Sequence, residues 1–513
     1  MTAGGVRIIR VLRRNIVLVA ITAACFAFYL AYSLSNYAEY RRSTWDLGIF
    51  DQAIRAYAHF RDPIAPLKSP DYSLLGDHFH PILAVLGPVY WVWNNPTALL
   101  MAQALLLAWS LPAVHRFAQR RLGSRAALVV TAAYGIGWPL QSMVDFEFHE
   151  VAFAVPLLAL AIEALDRRDV PRLLVWSVLL LLVKEDMGIV VAMLGLVLWS
   201  HGLRDRVSSQ VDVRARLRAV IPPLPAAILL IGGLVAYVLL TSVIIPALSP
   251  SGSYAYWTYS GLGKNLPDAL GSIVTDPLHA ARLFVTPHVK LQTLLALVLP
   301  ALPALASRYV LIVLPLLAEL FFSTNPALWG HAFHYDAVPW VVLALAGIDG
   351  IVNIRALLPE RRHRVIERLM VGLTATATSV LALLAMVDAH LSSHVTNWRG
   401  DDHAQAWRSA QATIPTNACV LASNVVAGHL TYRDYVRQPD LPFTYPDFLI
   451  VDPTLPSIGG HASAADVVAA ARSAGYATIF NRKSVVVLKS PMYQGPTSRC
   501  GPLGKGPVVT QSR

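Results

Sequence analysis

The apolar segments of this chain are polarised, with arginines collected at one end of them and acids and histidines at the other. Asp46 and Asp51, Gly76-Asp77-His78-Phe79-His80, Asp145-Phe-Glu147-Phe-His149-Glu150, Lys184-Glu185-Asp186 and His331-Ala-Phe-His334-Tyr335-Asp336 all fall on one predicted side. Charge beside hydrocarbon is expensive, so several ionisable groups converging on one membrane surface point to a site. The pattern commits the chain to crossing a bilayer repeatedly and to presenting one chemically equipped face.

Repeated runs of about 17–25 apolar residues match the hydrocarbon core of a membrane. A 513-residue chain that is 55% hydrophobic and only 14% charged excludes an ordinary soluble protein. Hydropathy places spans at 15–33, 97–115, 126–142, 151–165, 170–183, 187–200, 219–246, 290–305, 308–323, 337–353 and 368–388. The first follows Arg7, Arg10, Arg13 and Arg14. It is long and lacks an Ala-x-Ala-like cleavage site, so it reads as a retained transmembrane helix.

Charge orients the spans. Arg116, Arg120, Arg121 and Arg125, then Arg167, Arg168 and Arg172, then the 204–218 arginines, and finally Arg355 through Arg368 fall in loops on one side. The opposite short loops 143–150, 184–186 and 324–336 hold one cation, Lys184. By the positive-inside rule the N-terminus is cytoplasmic and the acid-rich face extracytoplasmic. The same loops account for the net charge of +11, so nucleic acid is not a partner.

The first outer loop carries two interfacial features. Leu47, Phe50, Ile54 and Tyr57 recur at helical spacing beside Asp46 and Asp51, which predicts an amphipathic helix lying on the membrane. Pro81–Trp93 is apolar but too short to span, and fits a re-entrant or interfacial helix with Trp91 and Trp93 at headgroup level. In the 247–289 loop, Tyr254, Tyr256, Trp257 and Tyr259 are interfacial anchors or platforms for a sugar or lipid.

From about Val395 the composition changes. Gln405–Ile414 and Ala464–Ser473 predict helices, while Ala418–Ala422, Phe448–Val451, Ala477–Phe480 and Ser484–Leu488 predict strands. Residues 1–394 therefore form the transmembrane domain, 395–490 a small α/β extracytoplasmic domain, and 491–513 a flexible tail. There is no glycine-rich phosphate loop and no internal repeat. Cys25 lies within the first span, whereas Cys419 and Cys500 share the C-terminal region, where an oxidising compartment would let them pair.

Each polar cluster has two readings. A carboxylate at Asp46 or Asp51, pressed against the bilayer, can keep a raised pKa and act as a base, or simply sit on an exposed helix face. Asp77, His78 and His80 offer metal-ligand types at a spacing that matches no specific metal motif, and equally cap a helix. Asp145, Glu147 and His149 share one side of an extended stretch if Phe146 and Phe148 dip into apolar surroundings. Lys184-Glu185-Asp186 interrupts an apolar stretch and must face a polar cavity, where Lys184 suits a phosphate or a neighbouring acid. His331, His334, Tyr335 and Asp336 contact a phosphate or sugar, or cap the following helix.

Together Asp46-Leu-Gly-Ile-Phe-Asp51-Gln52, Gly76-Asp77-His78-Phe-His80-Pro81, Asp145–Glu150 and Lys184-Glu185-Asp186 resemble a bacterial family of predicted membrane proteins with a domain of unknown function. That family is grouped with the GT-C superfamily of integral-membrane glycosyltransferases. The resemblance covers nearly the whole chain. It implies a GT-C-like polytopic helical fold of about 11 spans in the bacterial plasma membrane, and sugar transfer from a polyprenyl-phosphate donor on the extracytoplasmic face. An acid in the first outer loop is implied as the base, which points to Asp46, with Asp51 in reserve.

Such chemistry needs one base for the acceptor hydroxyl and cations for the departing phosphate. Lys184, His331 and His334 are expected on the phosphate, and His78 and His80 on phosphate or acceptor. Glu185, Asp186 and Tyr335 are expected to bind substrate. Asp77 and Glu150 are expected at the acceptor or a metal; Asp145 and His149 are expected to join Asp46 if a divalent cation such as Mg or Mn is bound. A transporter or flippase of a polar or lipid-linked solute is the alternative, with Glu319 its best residue, and a non-catalytic membrane scaffold is a third reading.

Overall fold

The computed structural model describes residues 15–201, 220–388, 402–439, 446–455 and 463–495, together with 203, 443–444 and 508–509. The basic N-terminal segment, the 204–218 arginines, Cys500 and most of the tail lie outside the described residues. Every predicted span is helical. In chain order these helices, with the interfacial ones, are α1 (Ile16–Ala38), α2 (Trp45–Ala58), α3 (Thr97–Leu122), α4 (Ser124–Ile136), α5 (Trp138–Phe146), α6 (Ala154–Asp166), α7 (Val170–Leu181) and α8 (Met187–Ser200). They continue with α9 (Leu224–Leu239), α10 (Leu266–Thr275), α11 (Pro277–Val285), α12 (His288–Val298), α13 (Val310–Phe322), α14 (Ala337–Ala356) and α15 (Glu360–Asp388).

Seven stretches are long and apolar enough to cross a membrane, taking α4 with α5 as one and continuing α9 to Leu248; α7, α8 and α13 are shorter apolar helices. Local chemistry sets their ends. Asp169 caps α7 by accepting from Arg172 N, and Pro171 occupies the first turn, where an amide would lack a partner anyway. The Lys184-Glu185-Asp186 interruption falls between α7 and α8 and so reaches the end of the bundle. Small residues let α8 and α9 approach closely. A Cβ added at Gly233 would lie 2.4 Å from Gly188 O, and one at Gly195 would lie 2.5 Å from Leu230 N.

The arginine-bearing helix ends converge. Arg116 and Arg120 pair with Glu163, Arg120 and Arg121 with Asp166, Arg121 also with Asp349, and Arg355 with Glu367. Acids are thus present at this end too, each matched by arginine.

In the first outer loop, α2 forms as expected, but its apolar stripe faces protein rather than lipid: Leu47, Phe50 and Ile54 are buried. Pro81–Leu86 is a 3₁₀ turn leading into a short helix, Gly87–Tyr90, and it leaves Val85, Trp91 and Val92 exposed. This segment is too short to span, as its length required.

The C-terminal region begins with α16 (Asp402–Ala412) and contains β1 (Cys419–Ala422), β2 (Tyr435–Arg437), β3 (Phe448–Val451), α17 (Ala464–Ser473), β4 (Ala477–Arg482) and β5 (Val485–Lys489). The sheet order is β2-β1-β3-β5-β4. β1 pairs in parallel with β2 and β3, whereas β5 is antiparallel to both neighbours. β2 has no counterpart in the sequence reading, because Tyr-Val-Arg is too short to show a period. Cys419 is disulfide-bonded, and Cys25 is a buried free thiol.

Candidate functional site

The site begins at the N-terminus of α2. Thr44 occupies the N-cap position, yet its side chain does not cap the helix. The cap comes from Glu147, whose carboxylate accepts from Leu47 N at 2.7 Å and also from Asp46 N and the Ser43 hydroxyl. Glu147 can do this because α5 ends at Phe146 and the chain turns extended, with Glu147 at φ −158 and ψ −171. An anion at a helix N-terminus is favoured by the unsatisfied amides and the dipole. Asp46, in the first turn, is half-buried beside it. Burial pushes the Asp46 carboxyl up to about 7, with Glu150 and Asp77 adding to the rise and Lys68 and His78 opposing it. Burial and the charge of Asp46 likewise push Glu147 up, against the pull of its three donors.

Asp77 accepts from Lys68, from Tyr72 Oη at 2.9 Å and from Tyr256 Oη at 2.5 Å. Burial opposes its charge, but His78 and Lys68 hold it well below the usual carboxylate range. His78 stacks on Tyr256 with ring centroids 4.0 Å apart, and its Nδ1 lies 2.7 Å from Glu185 Oε1. Against the cost of burial, Glu185 raises His78, and His78 in turn lowers Glu185 to about 2. Tyr254 Oη also donates to Glu185, at 3.0 Å. The aromatic 254–259 segment therefore straps across this cluster, nearer to a platform than to a membrane anchor.

Lys184 is buried, with Nζ 3.9 Å from Asp186. Burial works against its charge, yet Asp186, Glu319, Glu150 and Glu185 together hold its pKa well above the ordinary value. Asp186 shares a side-chain hydrogen bond with Glu319, so one of these two carboxyls carries a proton. Lys184, Asp186, Glu319, His334 and Tyr335 line a cavity of about 30 Å³, room for a water rather than a sugar.

His149 pairs with Glu150 at 2.6 Å and stacks on His334, with centroids 3.6 Å apart. Burial keeps both rings well below the ordinary histidine value, and it lowers His80 too. Burial thus disfavours the cationic form of His334, and both its ring nitrogens are free of hydrogen bonds. The buried Asp336 carboxyl, expected to cap α14, makes no such cap; burial alone raises its pKa well above the usual range.

Three expected residues lie elsewhere: Asp51, Asp145 and His331. Asp51 is fully buried, bidentate to Arg55 and bonded to Tyr90 Oη at 2.7 Å. It locks α2 to the following turn and is not available as a reserve base. Asp145 sits in the last turn of α5 rather than in an extended stretch, and accepts from Tyr32, Asn36 and Arg42. Asp145, Arg42 and the exposed His331 line a separate recess of about 180 Å³. Through His331 and Ala385 this recess joins an apolar groove of about 290 Å³ lined by Trp138, Val289, Leu381 and Leu384. Asp145 therefore does not join Asp46 and His149 around one ion. Among the described residues no three His, Cys, Asp or Glu side chains are arranged to hold a metal.

Lys68 has no counterpart in the sequence reading, Tyr254 and Tyr256 join the cluster as the platform reading expects, and Glu319, in the last turn of α13, belongs to the same cluster. Lys68 carried no signal of its own, since the same loop also holds Arg41, Arg42, Arg55 and Arg61.

This architecture, a polytopic bundle with an acid-rich end, has the fold of a solved membrane protein, ArnT. ArnT from Cupriavidus metallidurans bound to undecaprenyl phosphate matches with a TM-score of 0.52 and 11% identity, covering 95% of this chain and 100% of that one. Its apo form gives 0.48 at 12% identity over 92% and 97%. The Archaeoglobus fulgidus oligosaccharyltransferase tethered with an acceptor peptide gives 0.37 at 14% identity over 82% and 64%. No curated protein matches the sequence. The model of the family described as "Predicted membrane protein (DUF2079)" matches residues 38–471, and the chain belongs to that family.

Proposed function

We propose that this protein is a membrane glycosyltransferase that moves a sugar from a polyprenyl-phosphate donor to an extracytoplasmic glycan, lipid or protein acceptor. The observation that carries the reading is Asp46. Its carboxyl, poised near neutrality, lies among Lys68, His78, Asp77 and Glu150, and Glu150 in turn acts on the protonated Lys184. A base with a pKa near the working pH is best placed to take a proton from an acceptor hydroxyl. The leaving phosphate is already a stable anion, so the partner it needs is a fixed cation, supplied by Lys184 and His78. The carboxylates around them suit sugar hydroxyls, which donate hydrogen bonds. An apolar groove that adjoins the Arg42–His331 recess, apart from the Asp46 cluster, has the chemistry to take a lipid chain. The arginine asymmetry supports reading this end as the one outside a bacterial plasma membrane.

The test is to incubate purified protein with a panel of labelled polyprenyl-phosphate sugars and to compare wild type with Asp46→Ala. Transfer by wild type that is lost in Asp46→Ala is the expected result. Equal transfer by the variant overturns the assignment of the base. No transfer from any donor, with coupled solute uptake into vesicles, replaces the reading with a transporter.

A further inference from the structure

We propose that the C-terminal α/β domain positions the base: Thr44 and Gly428 form a clasp that fixes the start of α2, so the site is incomplete without this domain. The inference rests on the assignment of Asp46 above.

An N-cap threonine ordinarily spends its hydroxyl on an amide of its own helix. Here Glu147 has taken that task, and Thr44 Oγ1 turns outward to the C-terminal domain. It donates to Asn424 O at 2.8 Å and accepts from Gly428 N at 2.9 Å. Its backbone N–H also donates to Asn424 O, at 2.7 Å. With a longer bond from Oγ1 to Val425 O at 3.2 Å, this one residue, two before Asp46, is tied through both hydroxyl and amide to a segment about 380 positions away.

The approach is close enough to require glycine. A Cβ at Gly428 would lie 2.9 Å from both Cβ and O of Thr44, and Gly48 faces Gly428 Cα at 3.4 Å from its own added Cβ. The segment leading into Thr44 is held by the same domain. His429 lies between the rings of Tyr37 and Tyr40, at centroid distances of 3.8 and 4.1 Å. Arg408 donates to Ala38 O at the end of α1, and Tyr40 Oη donates to Gln411. Farther along α2, Gln52 Nε2 donates to Val436 O at 3.0 Å. The helix carrying Asp46 is therefore fixed on one side by Glu147 and on the other by the C-terminal domain, and Asp46 itself touches neither Asn424 nor Gly428. Thr44 and Gly428 are positioning residues.

The experiment compares Thr44→Val, Thr44→Ser and Gly428→Ala in the full-length protein. Misplacing a reacting group by about an ångström costs on the order of 100-fold, so Thr44→Val and Gly428→Ala should lower kcat by about that factor and leave the donor KM within about twofold. The acid limb of their pH profiles should move toward ordinary carboxylate values, because a loosened Asp46 regains water. Thr44→Ser keeps the hydroxyl and should retain wild-type kcat. Unchanged kcat and acid limb in both disruptive variants, or Thr44→Ser as impaired as Thr44→Val, overturns the clasp. Hydrogen exchange gives a readout independent of turnover. Amides of 44–58 should exchange faster in the two disruptive variants while those of the sheet stay protected, and unaltered exchange over 44–58 also overturns it. Absence of transfer by wild type with faster 44–58 exchange in the variants overturns the glycosyltransferase reading alone.

Discussion

The two ends of the helical domain both bury acids, but they treat them differently. At the arginine end Glu163, Asp166, Asp349 and Glu367 each meet at least one guanidinium. At the opposite end Asp46, Asp77, Glu147, Glu150, Glu185, Asp186 and Glu319 gather around Lys68, Lys184 and His78, and His80, His334 and Asp336 keep polar atoms without hydrogen-bond partners. Matched buried charges are what a structural network needs. Surplus carboxyls, a shared proton and idle imidazoles are what chemistry or a polar substrate needs. Burial of charge alone would not separate the ends; the balance of partners does.

Replacing Lys184 tests that contrast most strongly. If its cation meets developing phosphate charge, Lys184→Gln should cost about 10²–10³ in kcat, the range seen when one preorganised charge-stabilising donor is removed. Transfer assays on the donor panel measure it. A loss confined to stability, with kcat intact, would make Lys184 the counterpart of the arginines rather than their opposite.

Glu163→Gln should give the reverse outcome: transfer unaffected, and unfolding in detergent easier by about 1–3 kcal/mol, because a buried group loses charged partners. Arg116 is half open to water and can rehydrate, which favours the lower part of that range. Asp46→Ala should not destabilise in this way. The folded-state pKa of Asp46 lies above that of an unfolded carboxyl, so ionising it costs stability as pH rises from about 4 through about 7. Removing it should help most above that window.

Much of this was readable in sequence because it is local. Apolar runs set the helices, arginine placement set the two ends, and short apolar runs between turns gave four of the five strands of the C-terminal sheet. What escaped reading joins residues far apart. Nothing near Glu147 reveals that it caps α2, a hundred positions earlier, or that Arg42 and its neighbours hold Asp145 in a different recess. Asp51 reads as a reserve for Asp46 on the same helix, but a displacement of five positions, well over one turn, turns it from the cluster toward Arg55 and Tyr90. The histidines looked cationic by type. Burial lowers the pKa of His80, His149 and His334, whereas Glu185, facing it, raises that of His78.

The finest test of the contrast moves the Asp46 titration without touching Asp46. Lys68 opposes the rise in its pKa and Glu150 adds to it. Lys68→Met removes a positive charge that favours the carboxylate, so the acid limb of kcat/KM should move to higher pH from its position near 7. Glu150→Gln removes a negative charge that disfavours it, so the limb should move lower. Each change should be within about one pH unit, since a full unit corresponds to about 1.4 kcal/mol of interaction. Opposite displacements would identify the limb as the ionisation of Asp46 and the cluster as one electrostatic unit. Coincident profiles would assign the limb to another group. At the arginine end, Glu163→Gln should leave the limb in place, since a screened charge across the bundle cannot reach Asp46.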